Sequence, residues 1–282
     1  MIRLCAFADE ANPSIDGQIK ALTKNNIHLL EIRGVDGKNI LDISDKEAEE
    51  TYAKLSNAGI KVWSIGSPLG KVDINCDFKA YEEKIIRACQ LAKIFNCENI
   101  RMFSFFNALE SKDKVITYLK RMVEIANKYN LKMCHENEKG IYGDIAPRCI
   151  EILDNVPGLY YVYDPANFIQ CHQDPDESLK ALHSRAYYYH IKDAIKETGE
   201  VVPAGQGDGK LMEVINRLNG DKVLTIEPHL KVFGGYAKLD KTELKGKNEY
   251  MSNEEAFDVA VKHAKDLLIK AGYHEDKDGF SK

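Results

Sequence analysis

The chain has 282 residues, with 39 Lys and Arg against 44 Asp and Glu, which gives a formal net charge of −5. This balance excludes the basic surface that would neutralise a phosphate backbone, so we expect no nucleic-acid partner. Hydrophobic residues make up 44% of the chain and charged residues 29%, which is typical of a folded globular protein. The length permits either two domains or one (β/α)8 barrel of roughly 250 residues with additions.

The cysteines and the N terminus bear on cellular location. Seven cysteines are present, and none has the spacing to a second cysteine or a histidine that is typical of a zinc site. The opening stretch MIRLCAFADE lacks the basic and apolar regions of a secretory signal, and no run approaches the ~20 apolar residues that cross a membrane. We therefore expect reduced thiols, no membrane partner and a cytoplasmic location.

Short apolar runs alternate with longer amphipathic runs along the chain. The short runs have the length and composition of strands; they are Ile2–Phe7, His28–Ile32, Ile60–Ile65, Asn99–Phe103, Lys132–Glu136, Tyr160–Asp164, Ala186–Ile191 and Val223–Glu227. The longer runs predict helices at Ser14–Asn25, Asp45–Asn57, Asp77–Phe95, Lys112–Tyr129, Ile145–Leu153, Asp176–His183, Lys210–Leu218 and Asn253–Ala271. Ser44 and Ser252 are expected to cap two of these helices, and Gly59 and Gly272 to end them.

The repeat of these elements predicts the fold class. Successive strands begin about 25–35 residues apart, which is one βα unit for each step and eight units in all. Nearly continuous apolar strands indicate a parallel sheet that is covered on both faces. We therefore predict a single-domain (β/α)8 TIM barrel over residues 1–282, with an open doubly wound sheet as the alternative.

Two segments lie outside the repeat. Residues 228–252 form a long connection after the eighth strand, and loops longer than about 12–15 residues tend to carry function. We expect this loop to cover the pocket or to reach a partner subunit of a homo-oligomer. Residues 274–282 are polar, and we expect them to form a frayed tail.

The chemistry of a (β/α)8 barrel lies at the C-terminal ends of its strands. The last four predicted strands end in Glu136, Asp164, His190 and Glu227. Because consecutive strand ends share one side of the barrel mouth, these side chains can converge. Three carboxylates and an imidazole suit a divalent cation, with Mn²⁺ preferred and Mg²⁺, Co²⁺ or Zn²⁺ as alternatives. Taken singly, each acid could instead cap the next helix or pair with a nearby lysine.

Three basic residues stand at or near the ends of the second, third and fourth strands, namely Arg33, Lys71 and Arg101. One interpretation is a basic rim that binds a phosphate or carboxylate of the substrate. The other is salt bridging with the acids of neighbouring strand ends, which are Asp9, Glu10 and Glu31. The sequence leaves both interpretations open.

The stretches that carry these residues resemble the xylose isomerase-like TIM barrels, the sugar phosphate isomerase/epimerase superfamily. In the C-terminal half they are LKMCHENE, YVYDPANF, YYYHIKDA, VPAGQGDGK and LTIEPHL, and in the N-terminal half FADE, LLEIRGVDGKNILDIS, SIGSPLGK and NIRMFSFF. Each stretch alone is weak evidence. The resemblance is specific because the stretches occur in the same order as in the family and at the same positions relative to the strands. It extends from Ile2 to Gly272.

The resemblance implies roles for individual residues. The four strand-end residues match the metal ligands of the family, and the two glutamates, Glu136 and Glu227, also move protons at the carbon next to a carbonyl, through an enediolate. The residues implied to contact the substrate, in addition to the basic rim, are Asn167, Lys192 and His229. The partner implied is a small carbohydrate, either a sugar or a sugar phosphate.

The same site leaves other functions open. A lyase or dehydratase that acts on a sugar or inositol derivative would use the same metal and the same acids. A non-catalytic sugar-binding barrel would need the four ligands to be vestigial. The abasic-site endonuclease branch of the superfamily is disfavoured, because the chain has GQGDGK in place of an Asp-x-His motif and a net negative charge.

Overall fold

A closed barrel of eight parallel strands forms the centre of the protein in the computed structural model, which describes residues 1–233 and 250–282. The strands are β1 (Ile2–Ala6), β2 (Leu29–Ile32), β3 (Lys61–Ile65), β4 (Asn99–Met102), β5 (Lys132–Glu136), β6 (Tyr160–Tyr163), β7 (Tyr188–Ile191) and β8 (Lys222–Ile226). They pair in chain order, and β8 pairs in parallel with β1 to close the barrel. This closure confirms the predicted (β/α)8 fold and excludes the open sheet.

Helices follow the strands and cover the outside of the barrel. They are α1 (Ile15–Lys24), α2 (Asp45–Asn57), α3 (Phe78–Ile94), α4 (Lys112–Asn127), α5 (Ala146–Asn155), α6 (Pro165–Gln170), α7 (Pro175–Leu182), α8 (Leu211–Asn216) and α9 (Asn253–Lys270). Both predicted serine caps are present. Ser44 and Glu47 form a reciprocal capping box at the start of α2, and the Ser252 hydroxyl accepts the Glu255 amide at the start of α9.

The interior of the barrel is apolar towards the N-terminal ends of the strands and polar at the mouth, where the C-terminal ends lie. A cluster of buried residues fills the lower part, made of Cys5, Leu29, Cys134, Val162, Tyr188 and Val223. Side chains two residues apart on a strand share a face. The residues two positions after Cys134, Val162 and Tyr188 therefore also point inward, at the level of the C-terminal strand ends. This alternation brings the acids and the histidine of the predicted site to the barrel mouth.

The C-terminal tail differs from the prediction. Residues His274–Asp276 and Gly279–Ser281 form an antiparallel hairpin, and Phe280 pairs with Ile2 of β1. The Phe280 side chain is buried. The expectation of a frayed tail is wrong, because one aromatic anchor within a polar segment supplies enough apolar burial to hold the hairpin against the barrel.

Other differences lie in the connections. The short helix α6 begins directly after Asp164, where no helix is predicted. Two short antiparallel pairs, Gly34–Val35 with Lys38–Asn39 and Asp193–Ala194 with Val201–Val202, follow β2 and β7. Residues 234–249 of the predicted covering loop lie outside the described residues. Within the described residues no helix has the length and apolar character needed to cross a membrane.

Candidate metal centre

The four predicted ligands meet at the mouth of the barrel. Glu136, Asp164, His190 and Glu227 are all buried, and each offers a ligand atom within 4.8 Å of the others. The Nδ1 atom of His190 faces the three acids. It lies 3.1 Å from Oε1 of Glu136, 3.6 Å from Oε2 of Glu227 and 4.0 Å from Oδ2 of Asp164. The structure therefore brings together the set that the strand-end pattern predicts.

Asp164 presents one oxygen to its own helix and the other to the centre. Its Oδ1 accepts the backbone amide of Asn167 at 2.9 Å and so caps α6. Its Oδ2 is fully buried and faces the centre, where the Lys192 ammonium lies 2.8 Å away. Three buried carboxylates and one imidazole, with ligand atoms within 4.8 Å of one another, are a mixed oxygen and nitrogen donor set that fits a divalent cation.

Lys192 already supplies one positive charge to this group. Its ammonium lies 2.8 Å from Oδ2 of Asp164 and 2.8 Å from Oε2 of Glu227. Burial alone would lower the pKa of Lys192, but the two carboxylates outweigh burial and hold that pKa well above its ordinary value. The residue that the resemblance implies as a substrate contact is thus an ion-pair partner of two candidate ligands.

Arginines hold the outer oxygens of the two glutamates. Arg101 donates from Nη1 to Oε2 of Glu136 at 3.0 Å, and Arg33 donates from Nη1 to Oε1 of Glu227 at 3.3 Å. Each glutamate therefore turns one oxygen towards His190 and the other towards a guanidinium. Because guanidinium groups stay charged at all ordinary pH values, these contacts orient both carboxylates and favour their ionised forms.

Arg33 is held in place by further contacts. It donates to both oxygens of Asp9 at 3.0 Å and to Oε1 of Glu10 at 3.0 Å. The aromatic rings of Phe7 and Phe233 lie 4.4 Å and 4.7 Å from its guanidinium carbon. The salt bridging expected with Asp9 and Glu10 is therefore found for Arg33.

The other two basic residues have partners that the sequence did not suggest. Arg101 pairs with Glu136 rather than with Asp9, Glu10 or Glu31. Lys71 pairs with Glu138 at 3.0 Å and lies over the Phe103 ring at 4.4 Å. All three basic side chains thus contact carboxylates of the barrel mouth, and binding of a substrate phosphate by any of them remains a prediction.

Asn167 and His229 contact the same glutamates. The Asn167 side-chain amide donates to Oε1 of Glu136 at 3.2 Å. The His229 backbone amide donates to Oε2 of Glu10 at 2.7 Å, and its Nε2 lies 3.4 Å from Oε1 of Glu227. His229 reaches this position with a positive φ of 44°, which is strained for a residue other than glycine. Each residue thus lies beside one of the two glutamates, and substrate contact by either remains a prediction.

The ionisable groups of the centre have strongly shifted pKa values. Burial favours the neutral form of Glu136, but the charges of His190 and Arg101 outweigh burial and lower its pKa to about 2. Burial also acts on Asp164, and the nearby charges of Glu227 and Glu136 add to it, so its pKa rises to about 7 despite Lys192. Crowded carboxylates with one proton-retaining member are the arrangement that a divalent cation relieves.

Two acids around the centre have contacts that the sequence did not suggest. Glu31 lies on the far side of His190, with Oε2 3.3 Å from Nε2 of the imidazole. Asp193 accepts the backbone amides of Gly205, Gly207 and Gly209 and so shapes the loop that follows Lys192. An acid inside an otherwise apolar strand is the pattern that could have identified Glu31.

The comparisons with known proteins agree with this geometry. The profile of the xylose isomerase-like TIM barrel family matches residues 21–244. The chain belongs to that family. The match to the profile confirms the family resemblance of the sequence motifs over most of the chain. A search of curated proteins finds no match to the sequence.

Solved structures of similar fold include several enzymes. The probable 3-DHS dehydratase AsbF of Bacillus anthracis has a TM-score of 0.70 at 17% identity, covering 94% of this chain and 99% of its own. The IOLI protein with a bound zinc atom has a TM-score of 0.70 at 18% identity, covering 95% and 99%. An L-ribulose 3-epimerase has a TM-score of 0.72 at 13% identity, covering 96% of both chains. At these identities the similarity shows the fold alone.

Proposed function

We propose that the protein is a divalent-metal-dependent isomerase or epimerase that acts on a sugar or sugar phosphate by proton transfer next to a carbonyl. One observation carries the proposal. Two buried glutamates, Glu136 and Glu227, come from strands three apart and face one centre, and an arginine holds the outer oxygen of each. Two fixed carboxylates on either side of a site are what the removal and return of a carbon-bound proton requires.

The residues of the centre divide the chemistry among them. A divalent cation held by Glu136, Asp164, His190 and Glu227 would supply Lewis-acid polarisation of the substrate oxygens. One glutamate takes the proton from the carbon next to the carbonyl, the C–H electron pair forms the C=C bond of the enediolate, and the carbonyl π pair moves onto its oxygen. The other glutamate, once it has gained a proton from a substrate hydroxyl or from solvent, returns a proton to the opposite face or to the neighbouring carbon, and the carbonyl re-forms. Asn167 and His229 bind substrate hydroxyls beside these carboxylates.

Burial supports this division of roles. The two glutamates are 1% and 3% exposed, so their carboxylates act in a site of low dielectric constant. Lys192, within 3 Å of the centre's carboxylates, can donate a hydrogen bond to a substrate oxygen that gains negative charge. The proposal takes Mn²⁺ as the cation, a small carbohydrate as the partner and the cytoplasm as the location.

Proton exchange in D₂O tests the proposal. The protein is depleted of metal, reloaded with Mn²⁺ and incubated with a panel of ketoses and ketose phosphates, and products are followed by NMR. An isomer that carries deuterium next to the carbonyl is the expected result, and Glu136→Gln and Glu227→Gln should each abolish it. Glu124→Gln, on an exposed helix face, is the matched control and should retain the activity.

The same experiment distinguishes the isomerase from the second candidate function, a lyase. The similarity of fold to a probable dehydratase makes a lyase the natural alternative, because an enediolate can lose a β-substituent instead of being reprotonated. Loss of water without an exchanged isomer would replace the isomerase proposal with a lyase. Absence of both exchange and elimination across the panel, with Mn²⁺ bound, would contradict both.

A further inference from the structure

Glu31 is a buried acid on the side of His190 that faces away from the candidate metal centre. It lies in β2, across the barrel from β7, and its side chain is fully buried. Strands β2 and β3 change register at this point, with Leu30 opposite Val62 and Glu31 opposite Ser64. Irregular pairing of this kind re-aims a side chain and is common beside active sites.

Two hydroxyl donors and one imidazole nitrogen converge on the Glu31 carboxylate. The Tyr188 hydroxyl donates to Oε1 at 2.8 Å, the Thr225 hydroxyl donates to Oε2 at 2.9 Å, and Nε2 of His190 lies 3.3 Å from Oε2. Thr225 is the direct neighbour of His190 in the ladder between β7 and β8, and Tyr188 precedes His190 by two residues on the same face. The carboxylate is therefore fixed by β7, which carries the histidine, and by the neighbouring strand β8.

We propose that Glu31 is a positioning residue for the metal centre: by accepting the Nε2 hydrogen of His190, it fixes the imidazole with Nδ1 towards Glu136, Asp164 and Glu227. An ionised carboxylate can only accept a hydrogen bond, so Nε2 must be the donor. When the ring is neutral, as a metal ligand must be, its lone pair then resides on Nδ1, the nitrogen that faces the three carboxylates of the centre. Partners of this kind orient a ligating histidine and raise its basicity.

The position of Glu31 leaves it no other role in the centre. Its carboxylate belongs to the layer of Tyr188 and Thr225 below the mouth, whereas the ligand atoms lie on the Nδ1 side of the imidazole. Glu31 thus acts through His190 and touches neither the cation nor the substrate. The inference rests on the proposed role of His190 as a metal ligand.

Metal affinity and the NMR spectrum of the imidazole test this inference together. Mn²⁺ dissociation constants are measured for the wild type, Glu31→Gln and Glu31→Leu, and the Zn²⁺-loaded proteins are examined by ¹⁵N NMR, with His190→Asn used for assignment. We expect a loss of Mn²⁺ affinity of about 10–100-fold in the Glu31 variants. We also expect a hydrogen-bonded Nε2–H resonance of His190 in the wild type that shifts in Glu31→Gln and is lost in Glu31→Leu.

Glu138→Gln is the matched control for charge. Glu138 is a buried acid of the same mouth that contacts Lys71 rather than His190. Its variant should lower Mn²⁺ affinity less than Glu31→Gln and leave the His190 resonance unchanged. Equal losses of Mn²⁺ affinity in both variants, or a protonated Nδ1 in the Zn²⁺-loaded wild type, would overturn the inference. If the Glu31 variants fail to fold, Thr225→Val offers a milder change, because it removes one hydrogen-bond donor to Glu31. We expect it to lose less Mn²⁺ affinity than the Glu31 variants.

The outcomes also separate this inference from the proposed function. If the wild type binds Mn²⁺ and His190→Asn abolishes binding, an unchanged affinity in Glu31→Gln refutes the positioning role alone. If the wild type binds Mn²⁺ without His190, the positioning role and the ligand set both fail. If it binds Mn²⁺ as expected but exchanges no carbohydrate proton, the proposed reaction fails and the positioning role of Glu31 stands.

Discussion

Arg101 donates from Nη1 to Oε2 of Glu136 at 3.0 Å, and the two side chains are only 4% and 1% exposed. Arg101 also donates to the carbonyl oxygen of Gly66 at 3.2 Å, so its guanidinium is fixed at both ends. Arg101, for which the sequence left open a substrate anion or a salt bridge, is therefore a buried partner of Glu136, the carboxylate that we propose transfers a proton. Removal of one member of such a pair leaves an uncompensated buried charge.

Replacement of Arg101 should destabilise the protein strongly. Arg101→Gln leaves Glu136 without its guanidinium, and we expect the free energy of unfolding to fall by about 3–5 kcal/mol. Urea denaturation measures the change. Arg121, which pairs with Glu82 on the helix surface and is 39% exposed, supplies the control. Arg121→Gln should cost less than about 1 kcal/mol, and equal losses for the two variants would refute the role assigned to Arg101.

Removal of the Lys192 ammonium should strengthen divalent-cation binding. Lys192→Met keeps the length of the side chain but removes a charge that sits 2.8 Å from oxygens of two candidate ligands. Without it, Asp164 and Glu227 repel each other, so the metal-free variant should melt at a lower temperature than the wild type. Added Mn²⁺ should then raise its Tm by more than it raises that of the wild type.

The control for this prediction is Lys196→Met. Lys196 pairs with Asp174 at 3.1 Å on the surface, and its loss should change neither the Tm nor the response to Mn²⁺. An equal Mn²⁺-induced shift in Lys192→Met and the wild type would show that the ammonium does not compete with the cation.

His135 should make the protein less stable in acid. Strand alternation predicts that it points away from the centre, and its ring lies against Gly143, with both nitrogens buried and without a hydrogen bond among the described residues. Burial lowers the pKa of His135 from 6.5 to about 4. Between pH 6.5 and pH 4 the unfolded chain binds a proton that the folded chain does not. The contribution of His135 to the free energy of unfolding is therefore complete above pH 6.5 and is lost as the pH drops towards 4.

Replacement of His135 isolates this effect. We expect the free energy of unfolding of His135→Leu to depend less steeply on pH than that of the wild type between pH 6.5 and 4, as measured by urea denaturation at several pH values. His28→Gln, at an exposed histidine, controls for the loss of an imidazole. Parallel curves for His135→Leu and the wild type would contradict the assignment.

The glycine loop around Asp193 should tolerate no side chain at its centre. A Cβ at Gly207 would lie 2.5 Å from Oδ1 of Asp193 and 2.6 Å from the carbonyl oxygen of Ala194. Gly207→Ala should therefore destabilise the protein by about 1–3 kcal/mol and disturb Lys192, the residue before Asp193. Gly220→Asn is the control, because Gly220 has open space around it and asparagine tolerates its φ of 69°. Equal stability of the two variants would refute the constraint.

The barrel and its four convergent residues follow from the sequence because both depend on local periodicity. Inward and outward alternation along β5 to β8 decides which residues face the mouth, and strand order brings Glu136, Asp164, His190 and Glu227 to neighbouring positions. The helix caps at Ser44 and Ser252 are equally local, since each needs only the first turn of its own helix.

The pairings across the barrel could not be predicted in the same way. Contact between Glu31 of β2 and His190 of β7 joins residues 159 positions apart, and it depends on the tilt and stagger of the closed sheet rather than on any local pattern. The same holds for the contact of Arg33 with Glu227, because the sequence suggested only a substrate anion or Asp9, Glu10 and Glu31 as partners of Arg33. The tail hairpin was missed because a single residue, Phe280, anchors it.

Equilibrium dialysis against Mn²⁺ tests the central claim most directly. If the ends of β5 to β8 form one cation site, the wild type will bind one Mn²⁺ per chain, and His190→Ala combined with Asp164→Asn will bind none. Glu82→Gln, at a surface acid far from the mouth, should bind as the wild type does. A wild type that binds no Mn²⁺, or a double variant that binds it with unchanged affinity, would contradict the account.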